Sequence, residues 1–432
     1  MKFYFSLITT ILSVHLLAQA TISPAPKQTV PIAITNATVH VGNGVVINNA
    51  TVLINDGKIA TVGTNVNYTM NAKVIDAKGK HVYPGFILCN TNIGLVDVNN
   101  VRATSDAQEI GDWNASVRSI VAYNAEQKVI NTLRPEGVLL ANIVPEGSLL
   151  SGSSSVVQLD AWTWEDAAYA MDNGLHFYMP SLLAPPPNAR MRGSEQGIDP
   201  VKEGLQKVDR FKQFLEEAKA YIKTKAPEET NLKYAAVKGL FDSTKKLYVH
   251  AGTVKQMLVA ISIAKELSIP VVIVGGEDSW QIAGLLKQNN IPVILTRMHT
   301  LPIAEDDDVD QPYKTPFLLQ QAGILFAIND DDEQTRGRNL AFEAGTAAAY
   351  GLTKEQALSA ITLNAARILG IDAKTGSVEV GKDANLFISD GDALDMRTNL
   401  LSHAFIQGRE ISLESHQTQL FDKYEKKYSG GK

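Results

Sequence analysis

Between residues 246 and 328 four apolar runs recur, and each is followed by a stretch with helical spacing. They are Lys246-Leu247-Tyr248-Val249-His250, Pro270 to Gly276, Pro292 to Thr296 and Ile324 to Ile328. Runs without polar alternation belong to strands buried on both faces, and in parallel sheets such strands alternate with covering helices. The same rhythm starts earlier, with runs over Gly137–Val144 and Ser154–Leu159. A long amphipathic helix over Asp199–Lys225 follows, carrying Val208, Phe211, Leu215, Ala218 and Ile222 on one side. The pattern predicts an α/β barrel occupying residues 85–375, its final helix starting at Thr353 with Gln356 at capping-box spacing and stopping near Gly370.

Both flanks read differently. Residues 31–84 contain short β-branched runs punctuated by Gly42-Asn43-Gly44, Asn55-Asp56-Gly57 and Lys78-Gly79-Lys80. Glycine accepts the positive φ that tight hairpin turns require. Short runs return at Ser377–Val380, Ala384–Ile388 and His403–Gln407. A β piece on each side of a barrel predicts one composite β-sandwich built from 31–84 and 376–412, with a polar, frayed tail at 413–432. Residues 1–20 have the build of a secretory signal: Lys2, an apolar core to Leu17, then Ala18-Gln19-Ala20 as a small-x-small cleavage site. That core is too short for the ~20 residues a bilayer demands. The expected product is a periplasmic or secreted bacterial protein cleaved near Ala20, with no membrane insertion afterwards. Cys89 is the sole cysteine, so no intramolecular disulfide can form. A net charge of −6 and a pI near 5.8 speak against nucleic acid and anionic membranes as partners and leave a small molecule.

The stretch Pro84-Gly85-Phe86-Ile87-Leu88-Cys89-Asn90-Thr91-Asn92 leads from an apolar run into two amides at i, i+2. On a strand these share a face, and at the carboxyl end of a barrel strand they would face the site. The segment resembles the first barrel strand of the amidohydrolase superfamily, P-G-x-I-D-x-H-x-H, with Leu88 at the Asp position and Asn90 and Asn92 at the two His positions. Leu352-Thr353 to Leu369-Gly370 is similar to the last barrel helix of imidazolonepropionase-like members. Gly376-Ser377-Val378-Glu379-Val380-Gly381-Lys382-Asp383-Ala384-Asn385-Leu386 resembles their return strand. The likeness runs from about residue 30 to 412 and implies a TIM-like (β/α)8 barrel with that sandwich.

It also implies hydrolysis of C–N bonds, in amides or cyclic amides, around a divalent metal such as zinc. The metal would come from His-x-His, a strand-four Lys or carboxylate, His on strands five and six, and Asp on strand eight. His250, followed by Ala251-Gly252, takes the strand-five place. Asp331 takes the strand-eight place and the role of general base, with Asp330 as the alternative. No His stands within Val274-Gly275-Gly276-Glu277 for strand six, and Met179-Pro180-Ser181 is the nearest match for strand four. His250 and Asp331 are therefore the catalytic candidates and remnant ligands, Asp331 as base and His250 as ligand or electrophile, and Asn90 and Asn92 are substrate-binding candidates. Asn is a neutral oxygen donor and a poor substitute for imidazole on zinc, so tight zinc binding is not expected.

The remaining features carry weaker assignments. His299 reads as structural, and Asp306-Asp307-Asp308 as solvated loop charges. The Gly/Ser-rich loop Pro145–Ser155 could offer backbone donors but has no G-x-S-x-G elbow. Trp162 and Trp164 are either pocket wall or packing. Two functions stay open: a C–N hydrolase, or a non-catalytic binding protein or partner subunit, in a homo- or hetero-oligomer with a related amidohydrolase.

Overall fold

The computed structural model describes residues 22–147, 149–183, 199–224, 229–331 and 335–429. The signal sequence expected at 1–20 lies outside them.

Two sheets organise the chain. The first contains β1 (Ile32–His40), β2 (Val46–Asn55), β3 (Lys58–Gly63), β4 (Lys73–Asp76) and β5 (His81–Pro84). The second runs in the order β6 (Phe86–Thr91), β7 (Val138–Ile143), β8 (Leu150–Gln158), β9 (Ala168–Tyr178), β10 (Lys246–Ala251), β11 (Val271–Gly275), β12 (Val293–Leu295) and β13 (Phe326–Ile328). From the C-terminal side β14 (Leu386–Ser389), β15 (Leu401–Ile406) and β16 (Arg409–Glu410) join the first sheet, because β14 pairs antiparallel with β5. The two ends of the sequence thus share one β unit with its own apolar core, including Ile34, Val52, Ile54, Leu386 and Phe405.

The second sheet is the barrel wall expected from the buried runs. Seven strands share one direction, while β8 runs antiparallel to β7 and β9. Between β13 and β6 the wall is closed by a side chain. Asn329 accepts from the Cys89 and Asn90 N–H groups (2.7 and 3.1 Å) and donates to the Asn90 carbonyl (2.8 Å). One carboxamide thereby satisfies three buried backbone groups that a missing ladder would leave orphaned. The same bonds hold Asn90 at the strand end.

Outside the wall, the helix Pro200–Lys223 starts from an Asp199 cap that accepts from the Val201 N–H (3.0 Å). It buries Val208, Phe211, Leu215 and Ala218, the apolar side anticipated from spacing, and Phe211 stacks on Phe177 at 4.0 Å. Its expected extension reaches Lys225, which lies outside the described residues.

Three local expectations are corrected. The single helix after Thr353 is two, Lys354–Ala360 and Leu363–Leu369, interrupted at Ile361 and Thr362. At the break the Ile361 carbonyl accepts from the Ile87 N–H (2.9 Å), so helix continuity yields to a bond with the barrel wall. Ser377–Val380 is not a strand, although Val378 is buried and its N–H donates to the Val41 carbonyl (2.8 Å). Within the tail, His416–Ser429 is helical rather than frayed.

Candidate functional site

The parallel strands β6, β7 and β13 end around one cavity of about 630 Å³. Asn90, Thr91 and Asn92 line it from β6, Glu146 from the loop after β7, and Asp330 and Asp331 from the end of β13. Arg336 and the segment around Val96, Asn99 and Asn100 complete the rim. The structure thus brings three of the four sequence-predicted site residues, Asn90, Asn92 and Asp331, to a common wall.

The two aspartates are held differently. Asp330 is buried and accepts from the Thr335 hydroxyl (2.9 Å) and the Asn339 N–H (3.0 Å), which anchors the entry to the helix Leu340–Ala349. Asp331 is fixed through its backbone N–H, which donates to the Thr296 carbonyl (3.1 Å). Its side chain is exposed at the mouth of the cavity, with protein packed close around it. That desolvation pushes the carboxyl up to about 7, with Arg297 pulling it down and Asp330, Glu277 and Glu146 pushing it up. Of the two aspartates, Asp331 is the one left available for chemistry.

His250, the fourth, does not line the cavity. Its Nε2 lies 2.9 Å from Nδ1 of His176, and its ring stacks on Tyr178 at 3.8 Å. Burial holds His250 down at about 3, and it drives His176 well below its ordinary value too. Both rings are therefore neutral at physiological pH, one donating and the other accepting.

His176 was missed from the sequence. It sits on β9 beside Tyr248, with the rings stacked at 4.9 Å, and Nε2 has no hydrogen-bond partner. The strand end nearest to Met179-Pro180-Ser181 is Tyr178, so His176 is the polar group that strand contributes inside the wall. Glu277, after β11, stands where the strand-six ligand was sought; burial raises its carboxyl.

The family's zinc site does not fit these residues. Asn90 and Asn92 are neutral amides, His250 is engaged with His176, and Asn90 Oδ1 has no partner at all. Among the described residues no three His, Cys, Asp or Glu side chains converge as a metal ion requires.

Other candidates resolve simply. Trp162 is exposed and Trp164 packs at the core edge, and neither lines the cavity. His299 bonds the Thr346 hydroxyl at 2.8 Å, a structural contact. Most of the Gly/Ser loop is strand β8, with Ser151, Ser153, Ser154 and Ser155 buried in the wall rather than offered to a ligand.

Comparison with known proteins agrees with the architecture. The sequence model of the amidohydrolase family matches residues 149–412. A 5'-deoxyadenosine deaminase of Methanobrevibacter smithii is 21% identical over 381 residues, 80% of each chain. An imidazolonepropionase of Thermoplasma volcanium is 37% identical over 86 residues, which is 19% of this chain and 21% of that one. The crystal structure of an amidohydrolase from Thermotoga maritima MSB8 superposes with a TM-score of 0.76 at 25% identity, covering 88% of this chain and 99% of that one.

Proposed function

The chain belongs to the amidohydrolase family, and on that footing we propose that it hydrolyses a C–N bond of a small polar molecule held at the barrel mouth, without a tightly bound zinc ion. The observation that carries this reading is the shared wall: Asn90, Asn92 and Asp331 line one cavity of about 630 Å³ at the carboxyl ends of the strands, where barrels of this kind place their chemistry. Asp331, ionised, takes a proton from the water whose oxygen adds to the substrate carbon. The same proton then passes to the departing nitrogen as the C–N bond breaks. Asn90 and Asn92 orient the substrate through their amides. The raised Asp331 carboxyl supports such two-way proton traffic.

A second reading is favoured by one contact, the His176–His250 pairing that engages Nε2 of the strand-five imidazole. In that reading the chain binds its small molecule without turning it over, alone or beside an active relative. Release of ammonia or amine from a panel of amides and amidines, by protein treated with chelator, separates the two. Turnover that survives chelation supports hydrolysis; ligand binding with no release from any panel member supports the binding protein.

We also propose export to the periplasm or medium, motivated by the leader-like residues 1–20. Protein recovered from its native host is expected to begin near Thr21. Retention of Met1 would count against export by this route.

A further inference from the structure

The rim segment after β6 is built as a separate lobe. Over residues 96–105 the chain folds back on itself. The Asp97 N–H donates to the Thr104 carbonyl (3.0 Å), the Val98 N–H to Thr104 Oγ1 (3.3 Å), and the Thr104 hydroxyl to the Val101 carbonyl (3.0 Å). Val96 and Ser105 pair as an isolated bridge at its foot. The lobe adds nothing to the core, since residues 97–103 are all exposed, Val98 and Val101 among them. A segment with so few buried contacts belongs to the part of a structure that opens most easily. It also has space on two sides: Val96, Asn99 and Asn100 line the cavity of about 630 Å³, Arg102 lines a neighbouring one of about 320 Å³, and Ser105 lines both.

What holds such a lobe in place is a short set of side chains. Gln127 pins the foot, accepting from the Gly94 N–H (2.6 Å) and donating to the Val96 carbonyl. Farther out, among the described residues, Asn124 Nδ2 lies 3.4 Å from both carboxylate oxygens of Asp97. The stronger tie is Arg336, between β13 and the helix Leu340–Ala349, which donates to the Val96 carbonyl (3.3 Å) and to Asn99 Oδ1 (2.6 Å). A charged donor makes the firmer bond. Arg336 itself keeps a left-handed backbone with φ of 50°, a strained conformation that concentrates at clamps and switch segments. We propose that residues 96–105 form a lid over the cavity and that Arg336 is its latch, a positioning residue that keeps Asn99 and Asn100 seated at the mouth beside Asp331. This rests on the reading of the cavity as the substrate site and adds to it a means of covering the bound molecule.

The test places a nitroxide on the lobe of the full mature chain. Cys89 is fully buried, so Val101→Cys supplies a single accessible thiol for the label. With Arg336 in place the spectrum is expected to report a lobe held still. Arg336→Gln should raise the mobile fraction roughly tenfold, the factor that a lost hydrogen bond to a charged group carries, and Arg336→Lys should restore part of the order. Opening should also uncover the site. Carbodiimide coupling of glycinamide to Asp331, mapped by peptide mass spectrometry, is expected to run several-fold faster in Arg336→Gln, with the exposed Asp422 as an unchanged control. A label equally mobile with and without Arg336 overturns the proposal, and so does a loosened lobe that leaves the Asp331 rate unchanged. Asn99→Ala cuts the same bond from its other end and decides the matter if the Arg336 variant fails to fold. No substrate enters these measurements, so their failure is distinct from an absence of ammonia or amine release, which would instead remove the hydrolase reading.

Discussion

Asp331→Asn is expected to lower kcat/KM by roughly 10²–10⁴-fold, the range for removing a general acid–base group. Asn preserves the size and the Thr296-bonded backbone of the residue, so the fold should survive. The loss should fall mainly on kcat, because the proton transfer belongs to the transition state and not to substrate capture. Asp330→Asn should behave differently. That carboxylate is occupied by Thr335 and Asn339, so its loss should register as destabilisation of the entry to the neighbouring helix. If Asp330→Asn abolished turnover and Asp331→Asn left it intact, the assignment of roles would be reversed. Steady-state kinetics on the two variants, beside their melting curves, makes the distinction.

Glu343→Gln is expected to stabilise the protein at pH 8 by on the order of 5 kcal/mol, counting about 1.4 kcal/mol for each pH unit between the ordinary carboxyl value and pH 8. Glu343 is buried on the helix beside the site, and its Oε2 accepts from the Met298 N–H (3.2 Å). Burial, aided by Asp330, pushes its carboxyl up to about 9. The native chain therefore holds this proton more tightly than the unfolded chain does. Below about pH 4 both states are protonated and nothing is lost. As pH climbs from there toward 9 the unfolded state ionises while the native state does not, so stability falls. Gln keeps the oxygen that accepts from Met298 and removes the ionisation. Denaturant midpoints should therefore coincide at pH 4 and separate at pH 8, with the variant higher. A variant weaker than wild type at pH 8 would mean that Glu343 is ionised and paired in the native state.

The parts of the fold legible in the sequence were those whose physics is local. β10 to β13 announce themselves because strands buried on both faces need uninterrupted apolar runs. The buried side of the helix that follows Asp199 likewise follows from spacing. β9 was lost for an equally physical reason. Asp172-Asn173-Gly174 has the composition of a tight turn, and Asp172 does take a positive φ of 53°. In the structure these residues form an irregularity within a strand, and Ser155 Oγ accepts from the Asp172 N–H (2.9 Å) to mend the ladder. With β9 unseen, His176 could not be paired with His250.

The site was readable one strand end at a time. Asn90 and Asn92 stood out because they close an apolar run, and Asp331 because the spacing of the family it resembles favours it over Asp330. What joins them could not, since Asn329 reaches Asn90 across 239 positions of sequence and no periodicity records such a bridge. The contact between His250 and His176 likewise joins residues 74 positions apart. Family resemblance named the ligand positions; only the packing revealed that the imidazole at one of them is engaged by a second ring.

Zinc content per chain, measured by plasma mass spectrometry on mature protein after dialysis against a chelator, tests this account most directly. The predicted result is far less than one zinc per chain, with the fold unchanged. One zinc retained per chain, and released when Asn90 or Asn92 is replaced, would contradict it.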